Sequence, residues 1–288
     1  TFDADGNYGQ PLNSVEGPQY SVRYDLTSEY AEVVEVSEGQ PGRLHIGTNG
    51  NGLKITTDNT ADPMTFNTIT EPELPGTFNV VTAILESSST GYLYVGTSEG
   101  LGMTQDDKNG DGSGTWNQYL SGEDIQDIFY SVSDSSVYVV SENELNSSNN
   151  DGASWNTLTL DPVPPSSLTC VAGMSDQLYV GTHSDNLYLT EDSGSTWTKL
   201  DLVPYCGSDG IKSLFCDGNN NTVYVGTLSG LVISTDGGSS WTGYEDFMKT
   251  GEMNVRVMDI EVFDGTIYMV TEPQGLVVSI DGAQTWIS

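Results

Sequence analysis

The feature that most constrains this chain is one hairpin, written again and again. In Leu231–Trp241, LVISTDGGSSW, the first half alternates as a short strand. The second half, Asp236-Gly237-Gly238-Ser239-Ser240, is turn chemistry, because Gly tolerates positive φ and Asp bonds nearby backbone. Trp241 then opens the next strand with a large apolar ring. The same pattern returns with Asp192, Gly194 and Trp197, with Asn150, Gly152 and Trp155, and with Asp281 and Trp286. A looser copy runs from Asp111 to Trp116. A decayed one runs from Thr56-Thr57-Asp58 to Thr65-Phe66, with Phe where the others have Trp. All five tryptophans of the chain sit at this one position.

A second pattern precedes each copy: His45-Ile46-Gly47-Thr48, Tyr94-Val95-Gly96-Thr97, Tyr138-Val139-Val140-Ser141, Tyr179-Val180-Gly181-Thr182, Tyr224-Val225-Gly226-Thr227 and Tyr268-Met269-Val270-Thr271. From Gly47 to Val270 is 223 residues in five steps, a period of about 45. Self-similarity of that length, with several strands per unit, predicts an all-β, six-bladed β-propeller of four-stranded antiparallel blades. Inner strands are expected near Glu32–Val36, Val80–Leu85, Ile125–Tyr130, Leu168–Val171, Ile211–Phe215 and Val255–Ile260. Residues 30–288 form the propeller in this reading, and 1–29 an N-terminal extension. Within it, Tyr20–Leu26 (YSVRYDL) alternates as a strand and is expected to close the ring against the last unit.

The hairpins S/T-x-D-x-G-x-T-W, each preceded by a V-G-T strand, resemble the Asp-box (BNR) repeat. That repeat builds propellers of sialidases, xyloglucanases, sortilin-type receptors and photosystem II assembly-factor-like proteins. The resemblance covers about residues 30–288 and implies the fold; it implies no single chemistry, since these families share the hairpin alone. It also implies that the Asp-box residues are structural and sit away from the functional face. One acid per blade, all on the same rim, is too dispersed to act on one substrate.

Charge narrows the partners. The chain has 41 acidic residues against 8 basic ones, a formal charge of −33. Phosphate binding needs Lys and Arg, so nucleic acid and anionic membrane surfaces are excluded as partners. No apolar run approaches the ~18 residues of a membrane helix. Thr1 in place of Met reads as a processed or truncated product, and scarce Lys with abundant Ser, Thr, Asn, Gly and Tyr as an exported protein, placed extracellularly, at the cell surface or in the periplasm. Of the three cysteines, Cys206 and Cys216 are close enough in sequence to pair, while Cys170 and Cys216 fall at nearly equivalent places in successive units, as small buried residues do.

Chemistry is sparser. The second unit is longer than the fifth: Gly100 precedes Asp111 by eleven residues, whereas Gly230 precedes Asp236 by six. The insertion creates Asp107-Lys108-Asn109-Gly110-Asp111-Gly112, the first half of a calcium loop, in which Asp107, Asn109 and Asp111 would supply hard oxygens to Ca²⁺. The bidentate acid expected further on is replaced by Gln118, so an ordinary Asp/Gly hairpin stays open as the alternative. The sialidase resemblance implies three arginines converging on a sugar carboxylate, but the chain has only Arg23, Arg43 and Arg256, without the family's Arg-Ile-Pro motif. A glycosidase of the xyloglucanase kind needs two carboxylates across a cleft, for which Asp124, Asp127, Asp209 and Asp259 lie near inner strands. His45 and His183 neighbour no nucleophile motif. Asn146 and Asn220 lie in N-x-S/T sequons.

What remains is the face built from loops between units and from second-to-third-strand loops, where Tyr205, Asp209, Tyr244, Phe247 and His183 place aromatics among acids. The sequence therefore reads as a non-catalytic recognition or assembly module for a protein, a glycan or copies of itself, as homo-oligomer or filament. A glycoside hydrolase with two axial aspartates is the alternative.

Overall fold

The computed structural model describes residues 31–36, 43–58, 65–69, 80–87, 90–105, 114–184, 186–206, 210–244, 255–272 and 274–287. Six antiparallel sheets follow one another along the chain, and each adds its strands in chain order. Blade 1 is Ala31–Val36, Leu44–Thr48, Leu53–Asp58 and Thr65–Ile69; blade 2 is Val81–Ser87, Tyr92–Thr97, Gly100–Thr104 and Asn117–Tyr119. Blade 3 is Ile125–Ser131, Ser136–Ser141, Leu145–Ser148 and Asn156–Leu158; blade 4 is Leu168–Met174, Gln177–Thr182, Asn186–Thr190 and Thr198–Asp201. Blade 5 is Ile211–Asp217, Thr222–Thr227, Gly230–Ser234 and Thr242–Tyr244. Blade 6 has Arg256–Phe263, Thr266–Glu272 and Gly275–Ser279, with Ile287 bridging Val278 where a fourth strand would run. One helical turn, Val203–Cys206, interrupts the β-structure. The six inner strands surround a central channel of about 760 Å³. This is the all-β, six-bladed propeller that the repeat predicts. Tyr20–Leu26 and the rest of 1–29 lie outside the described residues.

The core is divided, not shared. Strand alternation sends successive side chains to opposite faces of a blade, so each seam between neighbours has its own apolar cluster. Trp116 packs in the seam between blades 1 and 2, Trp155 between 2 and 3, Trp197 between 3 and 4. Trp241 packs between blades 4 and 5, and Trp286 between 5 and 6. Each indole thus seals its own blade against the preceding one.

The V-G-T pattern has two physical causes. A Cβ on Gly96 would lie 2.6 Å from Ile125, and one on Gly181 would lie 2.7 Å from Ile211, so glycine admits the first inner residue of the next blade. Gly47 and Gly226 make the same space for Val81 and Val257. The threonine that follows donates its hydroxyl across the second-to-third-strand loop: Thr97 to the Gly100 carbonyl, Thr227 to that of Gly230 and Thr271 to that of Gly275, each at 2.9 Å.

The hairpins share one hydrogen-bond scheme. In blade 5 Ser234 Oγ donates to Asp236 Oδ1 at 2.8 Å, while Gly238 N donates to Ser234 Oγ at 2.7 Å. Ser240 then donates its backbone N–H to Asp236 Oδ1 and its hydroxyl to Oδ2, at 2.8 and 2.6 Å. Asp192 with Thr190 and Thr196 repeats this, as does Asp281 with Ser279 and Thr285; Asn150 does so with Ser148 and Ser154 except that its Nδ2 donates to Ser154 Oγ. In blades 3 to 6 the two residues after the box Asp or Asn are left-handed, φ 55° and 87° at Ser193 and Gly194 for example, which is why glycine recurs there. In blade 6 the second of these positions is Ala283, at φ 68°.

Candidate ligand-binding face

The hairpins described above share one end of the ring with the first-to-second-strand turns. The other end carries the second-to-third-strand loops and the crossovers between blades, and it is where the candidate binding residues fall. His183 is exposed there; its N–H donates to the Ser167 carbonyl at 2.9 Å, and its own carbonyl lies against Gly210. Tyr205 rides on the helical turn, half-buried against the core between blades 4 and 5, its carbonyl pressed on Gly243. Tyr244 is half-buried against the core between blades 5 and 6. Much of both rings is therefore committed to packing. Asp209 and Phe247 lie outside the described residues, as do Asp107, Asn109 and Asp111. Cys170 and Cys216 are free thiols, so no disulfide joins Cys206 to Cys216.

On the same end, a groove of about 410 Å³ opens between blades 3 and 4. One wall is the loop Glu142-Asn143-Glu144; the other is the crossover from Leu160 through Val163, Pro164 and Pro165 to Leu168. Val163 is 75% exposed in the wall of the groove. Asp124 adds to the acidic rim: partial burial raises its carboxyl, and the charge of Glu142 raises it further. Glu123 closes this edge by accepting the Ser141 hydroxyl at 2.9 Å. The groove is thus apolar on one side and anionic on the other. Sequence reasoning missed it because the two walls are separate loops whose meeting depends on how blade 3 sits beside blade 4.

The channel holds the two inner-strand aspartates. Asp127 is half-buried in the channel wall, with Oδ1 accepting from Ile128 N and Oδ2 from Val171 N, both at 2.8 Å. Burial pushes it up to about 7, two backbone donors pull it down, and the charge of Asp259 adds a small push. Asp259 accepts from Ile260 N at 2.9 Å, and burial raises it too. Both oxygens of Asp127 are thus engaged by backbone N–H groups, Oδ1 within its own strand and Oδ2 across the seam to blade 4. A glycosidase acid or nucleophile needs an oxygen directed at substrate; Asp127 is instead a clasp between blades. His45 is buried in the seam between blades 1 and 2, where burial and then the Arg43 charge lower it to about 4. Among the described residues no group of three or more His, Cys, Asp or Glu is placed to hold a metal ion.

Comparison with known proteins returns the fold. No protein-family model matches the chain, and no curated protein sequence does. Among solved structures, an ancestral GH74 enzyme superposes with a TM-score of 0.67 at 14% identity, over 86% of this chain and 36% of the enzyme. The extracellular domain of a B. thetaiotaomicron protein described as a hybrid two component system gives a TM-score of 0.71 at 16% identity, over 92% of this chain and 34% of that one. This chain therefore spans about a third of the length of either. YCF48 bound to D1 peptide gives a TM-score of 0.66 at 16% identity, over 91% of this chain and 81% of YCF48. These neighbours differ in function, and at such identities the likeness is one of architecture.

Proposed function

We propose that the chain is a non-catalytic recognition module that takes a polypeptide segment on its loop-bearing end, in the groove between blades 3 and 4. The observation that carries this reading is the groove's two-sided chemistry: Val163, Pro164 and Pro165 face Glu142 and Glu144. Such a site fits a basic side chain flanked by apolar ones, and the charge of −33 would speed capture of a basic segment. YCF48, of similar fold, carries a bound peptide in its structure, which supports a peptide ligand for this architecture. We place the module outside the cytoplasm, on the export-like composition and the extracellular neighbour; among the described residues no helix is long and apolar enough to cross a membrane. The Asp107–Asp111 loop stands as a calcium brace, tested by whether Ca²⁺ raises and EDTA lowers the melting temperature.

The test is binding of peptide libraries graded in charge, beside a glycan array and a panel of polysaccharides. Basic, apolar-flanked peptides should bind, more weakly at high salt, and Val163→Asp or Glu142→Lys should abolish binding without lowering stability. Glycan binding that ignores both substitutions would overturn the peptide reading. Cleavage of a polysaccharide, lost in Asp259→Asn, would establish the hydrolase instead.

A further inference from the structure

Blades 3 and 6 share a departure from the repeat. Where other second strands have Gly47, Gly96, Gly181 and Gly226, blade 3 has Val140 and blade 6 has Val270. The inner-strand residues paired with these valines are Asp127 and Asp259, while the corresponding partners elsewhere are Val33, Ala83, Cys170 and Ser213. Both aspartates accept a bond from the next residue's N–H, from Ile128 and from Ile260. Blade 3 uses its pair fully: Asp127 also takes the N–H of Val171 in blade 4, and Tyr138, Val140 and Leu145 are buried against Leu168, Val171 and Leu178.

In blade 6 the same residues stand open. By register the counterparts of Tyr138, Val140 and Leu145 are Tyr268, Val270 and Leu276, and they are 38%, 48% and 57% exposed. The counterpart of Val171 is Val34 of blade 1, since each follows the residue paired with its second-strand glycine; Val34 is 55% exposed. Val34 and Val270 line the same central cavity. Ile46 and Lys54, on other strands of blade 1, are already buried. Blade 1 is also the blade whose hairpin carries Phe66 where every other carries Trp, and among the described residues no apolar cluster spans this seam.

We propose that the seam between blades 6 and 1 is a latch, closed when Asp259 accepts the Val34 N–H as Asp127 accepts that of Val171. Closing buries Tyr268, Val270, Leu276 and Val34, which favours it. Opposing it are carboxylates on both sides, Glu32 and Glu35 from blade 1 against Asp259 and Glu261 from blade 6, with Lys212 the one cation lining the channel among the described residues. Repulsion across a solvent-lined gap is screened by salt, whereas apolar burial is not weakened by it. Closure therefore strengthens with ionic strength.

Hydrogen–deuterium exchange tests this directly. Raising NaCl from about 0.05 M to about 2 M should slow exchange of Ala31–Val36 roughly tenfold in the intact chain, by screening. The response should be clearly smaller in Asp259→Asn, which removes one of the opposed charges but keeps an oxygen able to accept the Val34 N–H, and Leu168–Met174, at the permanently closed seam, should not change. Equal slowing at both seams, no response, or an unaltered response in Asp259→Asn would overturn the proposal. Should Asp259→Asn fail to fold, Val34→Cys with Val270→Cys treated with a short bis-maleimide gives a second readout. A link within one chain, increasing with salt and mapped by mass spectrometry after proteolysis, is expected. A link between chains, or none, would contradict it.

Discussion

At the residue scale, the hairpins show how a backbone requirement outlives its sequence motif. In blades 3 to 6 two consecutive left-handed residues follow the box Asp or Asn, and in blade 6 the second of them is Ala283. Alanine is strained there and glycine is not, so Ala283→Gly should stabilise the chain by about 0.5 to 1 kcal/mol, less the contact of one buried methyl. Thermal or urea unfolding would show it; a loss of stability would mean that the methyl packing outweighs the strain. The reverse change at Gly152 should destabilise, because a Cβ there meets Met103 Sδ at 2.6 Å in addition to the strain at φ 76°.

Asp127 makes a pH prediction at the same scale. Its folded value, about 7, lies above the usual carboxylate range, so the native state holds a proton that the unfolded chain has released. Stability from this group is present below about pH 4 and is lost as pH rises through 7. Asp281 has the opposite sign: bonds from Thr285 and Ser279 hold it down to about 2, and its contribution is lost as pH falls below about 4. The melting temperature should therefore peak near pH 4 to 5 and decline toward 8, and Asp127→Asn should flatten the decline. A melting temperature that rises steadily from pH 4 to 7 would contradict the assignment.

At the scale of elements, the strands were legible and their meetings were not. The inner strands fall within a few residues of their expected places, because alternation and recurrence are properties of the chain itself. The tryptophans announced one indole in each of five blades, and the structure puts each in a separate seam. Asp127 and Asp259 were read as candidate catalytic acids, since a sequence does not show which neighbour's N–H a carboxylate meets past a bulge. The groove at Val163 was invisible for a similar reason, its two walls coming from loops that only blade packing brings together. Tyr205 and Tyr244 lie at the loop-bearing end, but half-buried against the cores on either side of blade 5, Tyr205 by way of the helical turn Val203–Cys206, which no periodicity signals. At this scale, Gly226→Val should destabilise by about 2 kcal/mol or more, since its Cβ would lie 2.9 Å from Val257 and closer still to Ser213. Near-native stability in that variant would refute the claim that glycine sets the approach between blades.

At the scale of the whole molecule, a charge of −33 is carried on a ring of separately packed blades, a field that disfavours anionic partners. On the function proposed above, these acids would draw a basic segment to the groove on the loop-bearing end. The central claim is that this end recognises and the axial carboxylates do not catalyse. A hydrogen-exchange footprint of a tight-binding basic peptide tests that most directly. Protection at Glu142–Leu145 and Leu160–Leu168, with the inner strands Ile125–Ser131 and Arg256–Phe263 unchanged, is the predicted result. A footprint centred on Asp127 and Asp259, produced by an oligosaccharide that is then cleaved, would contradict it.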